Sequence, residues 1–281
     1  MRNQAGTLIE RKPAYTQLIE FYEKIYTEQE RSKKGLILPP FQLQQSGREK
    51  EFREGFPLLN RMAIPIDVSS SETLFRTLCE ISKEVNEKLQ KDITGIEQAI
   101  KKEAFDIGDL IRQNSDAVYI ETLAIKHGLD QPVLMFLMHM SILPSLSVFV
   151  DQIRDSMDTK NWLRGYCPVC GSLPRISALR GKGQRFFLCT FCSFEWQSER
   201  LKCPFCENSD HQTLHYLYTD GDEICRVELC EKCKKYIKTI DTRKLSYEPD
   251  LHLEDIATIH LDILASEKGF SRPAFSPWGI K

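Results

Sequence analysis

Cysteine is nearly absent from the first 160 residues, where Cys79 stands alone, so neither a disulfide framework nor a thiolate metal site can be built there. A basic surplus is missing too: 38 Lys and Arg face 40 Asp and Glu, a net charge of −2, which argues against a chain-wide phosphate-binding surface. No glycine-rich dinucleotide fingerprint occurs and no nucleophile has a base at motif spacing, so nothing points to an enzyme. No signal-peptide pattern opens the sequence, which sets the expectation of a cytoplasmic protein with reduced thiols. One apolar run, Val133 to Val150, approaches bilayer length. His139, Ser141, Pro144, Ser145 and Ser147 interrupt it and no positive flank accompanies it, so it reads as a buried helix kinked at Pro144, without membrane insertion.

Residues 161 to 233 reverse the cysteine pattern, with nine. Eight form four Cys-x-x-Cys pairs, Cys167/Cys170, Cys189/Cys192, Cys203/Cys206 and Cys230/Cys233, enough for two tetrahedral S4 sites and hence two mononuclear metal ions. The 18 residues between Cys170 and Cys189 suit pairing of the first two pairs in one site. The 23 between Cys206 and Cys230 leave room for a hairpin with an extended loop, and a cross-braced arrangement uses the same residues. Four thiolates suit iron and zinc alike. Gly171 follows the first pair and can take the positive φ that closes a metal knuckle, while Pro168 and Pro204 fix φ at the second knuckle position. Disulfides are the alternative, disfavoured by the reducing compartment expected for this chain.

The fold class expected is α+β: a helical domain over residues 1–160, two small rubredoxin-like or zinc-ribbon-like modules over 161–200 and 201–241, and a C-terminal helix with its tail over 242–281. Leu18, Phe21, Tyr22 and Ile25 mark a helix within 13–33, and Ser69 with Glu72 reads as a capping box before Leu74, Leu78, Ile81 and Val85. Gly128 ends one helix, and Asp130 caps the next with Pro132 in its first turn. Prolines 39, 40, 57 and 65 mark an irregular connection over about 35–68, expected to wrap on the helices. Short strands are predicted at 176–179, 185–188, 194–196 and 224–229, with a hairpin turn at 180–184. Modules this small lack a core of their own, so metal is expected to supply much of their folding energy. Leu253, Ile256, Ile259 and Ile263 define a helix ending at Gly269.

Cys225 shares a strand face with Val227 and Leu229 and reads as core, as does Cys79 one turn after Phe75. His211 and His215 allow a Cys2His2 finger with Cys203 and Cys206, but that would orphan Cys230 and Cys233. Residues 162–240 carry twelve Lys or Arg against nine Asp or Glu; eight thiolates and two divalent ions add −4, leaving about −1, short of the basic footprint of nucleic-acid binding. Arg180, Lys182 and Arg185 then belong to a solvated hairpin tip.

The runs Cys-Pro-Val-Cys-Gly-Ser-Leu-Pro from Cys167, Phe-Leu-Cys-Thr-Phe-Cys-Ser-Phe-Glu-Trp from Phe187, Arg-Leu-Lys-Cys-Pro-Phe-Cys from Arg200 and Arg-Val-Glu-Leu-Cys-Glu-Lys-Cys from Arg226 resemble formate dehydrogenase accessory proteins of the FdhE type. Leu253 to Ala265 and Glu267-Lys-Gly-Phe extend the likeness, which covers 162–270; the tail after Phe270 resembles the family ending loosely. The resemblance implies a cytoplasmic protein required for active formate dehydrogenase. Its partner would be the catalytic subunit, and its cofactors two iron or zinc ions with a redox role open. It assigns Cys167, Cys170, Cys189 and Cys192 to one site and Cys203, Cys206, Cys230 and Cys233 to the other. Phe194, Trp196 and Tyr236 are candidate partner contacts or small-core residues. The rival is a zinc-ribbon adaptor for nucleic acid or another protein complex.

Overall fold

The computed structural model describes residues 2–41, 49–219 and 221–274. The expected tail beyond 274 and part of the proline-marked connection, 42–48, lie outside the described residues. The chain divides into two compact units, one formed by residues 20–42 and 60–155 and the other by 1–19, 43–59 and 156–281.

The first of these units is helical. Helix α1 (Arg2–Arg11) belongs to the other unit, and α2 (Thr16–Lys33) contributes its residues from Glu20 onward here. After the short α3 (Glu49–Glu54) of the other unit come α4 (Val68–Lys83), α5 (Glu87–Lys101), α6 (Ile107–Arg112), α7 (Ala117–His127) and α8 (Gln131–Ile153). Buried Leu74, Phe75, Leu78, Ile93, Ile96 and Leu110 repeat at helical spacing and pack with Leu134, Leu137, Ile142 and Leu146 of α8. Asp67, not Ser69, caps α4, accepting from Ser70 N at 2.9 Å; both residue types suit the role, and the helix starts one residue before the expected cap. Gly128 closes α7 at φ 63°, and Asp130 caps α8 through Val133 N at 3.0 Å, as expected.

Helix α8 is the one helix among the described residues long and apolar enough to cross a membrane, yet 72% of that window is buried inside the protein. Pro144 has no N–H for the carbonyl of Met140 four residues back. The Gln29 amide donates to that carbonyl at 2.7 Å, so an otherwise orphaned buried acceptor is satisfied from α2.

The second unit is built on one six-stranded sheet. Its strands are β1 (Pro174–Arg180), β2 (Gln184–Cys189), β3 (Glu195–Ser198), β4 (Leu214–Leu217), β5 (Cys225–Cys230) and β6 (Lys235–Asp241), in the order β3-β2-β1-β6-β5-β4. Each half is an antiparallel meander, and β1 meets β6 in parallel, with Ser177 beside Thr239. Buried Ile176, Ala178, Cys225, Val227, Tyr236 and Ile240 line one face, against α9 (Leu251–Ile256) and α10 (Ile259–Glu267). The metal region therefore has a shared hydrophobic core, contrary to the expectation of modules without one, because pairing two three-stranded halves doubles the apolar face available for helices to cover.

Thr258, fully buried, breaks the single C-terminal helix expected into α9 and α10, and its hydroxyl donates to the Glu254 carbonyl at 2.7 Å. Between these helices and the sheet lies a buried ion network that the sequence did not reveal. Lys238 Nζ reaches Asp255 Oδ1 at 2.8 Å and Asp262 Oδ2 at 2.6 Å, while Arg272 reaches the same carboxylates at 2.7 and 3.1 Å. Burial opposes ionisation of Asp255, but Arg272 and Lys238 beside it hold its carboxyl well below the usual range. Of the proline-marked connection, residues 49–59 pack in this unit: Leu58 N donates to Pro168 O at 2.8 Å, and Phe52 stacks on Trp162. Residues 35–41 and 60–67 belong to the helical unit and wrap on its helices as expected, with Phe41 against Phe149 and Asp67 N donating to Ser145 Oγ at 3.1 Å, both on α8.

Candidate metal centres

Each metal knuckle is a tight backbone turn. The residue after the second cysteine donates its N–H to the carbonyl of the first: Gly171 to Cys167 at 2.9 Å, Glu207 to Cys203 at 3.0 Å and Lys234 to Cys230 at 2.8 Å. That residue needs a left-handed φ, found at Gly171 (72°), Ser193 (60°), Glu207 (58°) and Lys234 (55°). Among the described residues, three of the four non-glycine residues with positive φ are thus knuckle residues. Only Gly171 carried a sequence signal, since serine, glutamate and lysine give no hint of this conformation.

The turns bring the eight cysteines into two groups, Cys167, Cys170, Cys189 and Cys192 in one and Cys203, Cys206, Cys230 and Cys233 in the other, the Sγ atoms of each lying within 4.8 Å of one another. The grouping is sequential, not cross-braced. Three Sγ–Sγ pairs of the first group lie 3.5 to 3.6 Å apart and two pairs of the second 3.6 and 3.7 Å apart. Bonds of about 2.3 Å in a tetrahedron give an edge of about 3.8 Å, whereas a disulfide needs about 2.05 Å. The donor sets fit a metal ion and do not fit disulfides.

Electrostatics point the same way. Burial pushes the Cys167 and Cys192 thiols well above their usual range, while hydrogen bonds from Cys167, Cys189 and Cys192 hold Cys170 well below it. A bound cation would offset the cost that burial puts on ionising Cys167 and Cys192. Phe191 N and Cys192 N both point at Cys189 Sγ at 3.4 Å, and Ser172 Oγ lies 3.3 Å from Cys170 Sγ. In the second group burial again raises Cys203, and it raises Cys233 to about 11. Burial also opposes ionisation of Cys230, but the N–H of Cys233, the Asn208 amide, the Cys206 thiol and the N–H of Lys232 bring it down to about 7. Asn208, unmarked in the sequence reading, donates to Cys230 Sγ at 3.6 Å and to Thr213 Oγ1 at 2.8 Å. Its own carbonyl accepts from Cys203 N at 2.8 Å, so it braces both halves of the group.

The two groups differ in exposure. All four cysteines of the first are buried; in the second, Cys206 and Cys233 are half-buried. His211 and His215 stand outside the second group, so the Cys2His2 alternative fails. Cys225 is core as expected, its thiol raised by burial. Cys79 is core too, pushed up to about 12 by burial. Phe194, Trp196 and Tyr236 are all buried and are core, not exposed contacts. Arg185 departs from the solvated hairpin tip expected for it: 2% exposed, it donates to Glu228 Oε2 at 2.5 Å and to the Lys202 carbonyl at 2.9 Å.

Residues 166–200 match the family model "FdhE, central domain", and residues 201–278 match "FdhE, C-terminal domain". The chain is 35% identical over 151 residues to "Protein FdhE homolog" of Aquifex aeolicus, an alignment spanning 52% of each protein. It is 26% identical over 251 residues to "Protein FdhE" of Salmonella paratyphi A, covering 85% of this chain and 75% of that one. The crystal structure of the FdhE protein from Pseudomonas aeruginosa shares its fold at a TM-score of 0.65 and 20% identity, over 97% of this chain and 92% of that one.

Proposed function

Because this chain belongs to the FdhE family, we propose that it is a cytoplasmic accessory protein needed for formate dehydrogenase activity, and that it binds the catalytic subunit of that enzyme before it matures. In this reading Cys167, Cys170, Cys189 and Cys192 hold one metal ion and Cys203, Cys206, Cys230 and Cys233 hold a second, each iron or zinc. The chain is a binding and maturation protein and not an enzyme. The observation that carries the reading is the pair of four-cysteine groups, both inside the stretch that matches the two FdhE domain models. Coordination fixes loops that would otherwise lose entropy on binding, which makes metal knuckles stiff recognition surfaces. Iron held by four thiolates supplies one-electron exchange, and the half-buried Cys206 and Cys233 favour the second centre for any redox role.

Affinity capture from a host making formate dehydrogenase tests the partner. Recovery of the catalytic subunit is expected; nucleic acid bound with a steep salt dependence, and no dehydrogenase subunit, would instead establish the adaptor reading. Elemental analysis of the same material is expected to give two metal ions per chain without inorganic sulfide. Absorption of protein purified without oxygen separates coloured ferric thiolate from colourless zinc.

A further inference from the structure

The sheet face opposite α9 and α10 is open over β4 to β6, where it forms the floor of a cleft of about 530 Å³ beside the second four-cysteine group. The 200–205 segment makes one wall. Five cations line it, Arg185, Arg200, Lys202, Arg226 and Lys235, against the single carboxylate of Glu228 and the net −2 that a metal-loaded centre would carry beside it through Cys203 and Cys230, so the cleft stays positive. Glu228 is already shared: Arg185 and Arg226 each donate to it at 2.5 Å. Lys202 makes only long contacts to Glu199 and Glu207, at 3.5 and 3.8 Å. Arg200 and Lys235 have no ion pair among the described residues. Between these charges lie apolar groups, Phe205, Leu214 and Tyr216, with Tyr216 60% exposed under the Arg226 guanidinium.

We propose that this cleft docks an extended acidic segment of a partner protein, its carboxylates meeting Arg200, Lys202 and Lys235 and one apolar side chain resting on Phe205, Leu214 and Tyr216. The inference rests on the reading of this chain as a partner-binding protein and names the surface and the chemistry it uses. The charge balance sets the sign of the occupant. The distribution of polarity sets its size: a small anion is held by buried, convergent donors, whereas here the innermost cations are neutralised by Glu228 and the unpaired ones stand at the rim of an apolar floor. An apolar centre with a charged rim, rich in Arg and Tyr, is the composition of a protein interface. Charges at such a rim speed encounter and weaken with salt.

The test uses the full-length, metal-loaded protein and a fluorescein-labelled peptide, Glu-Asp-Leu-Glu-Phe-Glu, with a counterpart in which lysine replaces every acidic residue. The acidic peptide should bind at low salt, and Arg200→Glu/Tyr216→Ala, two exposed changes that leave metal content unaltered, should weaken it at least tenfold. No binding at millimolar peptide, equal binding of the lysine counterpart, or an unchanged affinity in the variant overturns the proposal. So does full displacement by equimolar inorganic phosphate, which would mark a small-anion site. The partner is tested separately, by placing a photo-cross-linker at the exposed ring (Tyr216→p-benzoylphenylalanine) in a host making formate dehydrogenase. An acidic cross-linked segment from another protein supports the cleft while overturning the dehydrogenase assignment; a basic segment from the dehydrogenase does the reverse.

Discussion

The two four-cysteine groups share a ligand pattern, a knuckle geometry and nearly the same sulfur spacings, yet one is sealed and the other is half open. The first sits where the 49–59 segment pairs with the knuckle backbone at Pro168 and Val169, so protein covers it. Against the second lies a cleft lined by cations. The same coordination chemistry thus supports two different tasks: a sealed centre can only organise the chain around it, while an open one can also meet another molecule.

Ligand removal should separate the two most strongly. Replacing Cys167 and Cys170 together by serine should abolish ordered structure around the first centre, because binding free energy on the order of 10 kcal/mol is folding free energy in such sites. Replacing Cys206 and Cys233 should cost clearly less, since both already reach solvent and the shared sheet core persists. Limited proteolysis and chemical denaturation check this. Equal loss in both variants would show that the contrast in burial has no energetic counterpart.

A finer probe is Asn208, whose amide is peculiar to the second centre. Asn208→Ala should weaken metal binding there about 10- to 100-fold, as loss of a group bracing a metal ligand does, and leave the first centre untouched. In metal-free protein the Cys230 thiol is held at about 7, below its ordinary value of 9.0. Its stabilising contribution is therefore complete above that ordinary value and is lost as pH falls through about 7. The variant should narrow this window, which a thiolate absorbance titration would detect as an upward shift of the midpoint near 7.

The smallest expected effect compares the knuckles themselves. Lys234→Gly should stabilise by about 0.5 to 1 kcal/mol, since the left-handed φ of 55° strains any side chain. Gly171→Ala should destabilise by at least about 1 kcal/mol, because φ is 72° and the added methyl would lie 2.9 Å from Pro57 Cγ. Thermal melts of both variants measure the pair.

Much of this site was legible before the structure, and for a physical reason: ligands of a metal centre must be one residue type at fixed spacing, so the eight cysteines announce themselves. The caps and breaks at Gly128, Asp130 and Pro132 were legible because they act locally. What could not be read was long-range. Strand β6 begins two residues after Cys233 with Lys235, and its buried Lys238 looks like a surface residue until Asp255 and Asp262 are brought to it. Strand β4 is short and half exposed, without the alternation that marks a strand. Arg185 looks like a hairpin-tip cation unless the partner across the sheet, Glu228, is known. Tyr236 joins the core that the two halves share, whereas Trp196 is buried within its own half, against Phe187 and with its indole N–H on the Arg164 carbonyl.

That sharing has a consequence in time. The bond between Ser177 and Thr239 spans 62 residues, so on the ribosome the inner edge of β1 waits for β6 for roughly 3 to 12 s at about 5 to 20 residues per second. Throughout that wait the nascent first half presents an unpaired strand edge, the kind of template on which chains join one another. Slow translation through residues 180–240 would lengthen the exposure, and rapid synthesis would shorten it.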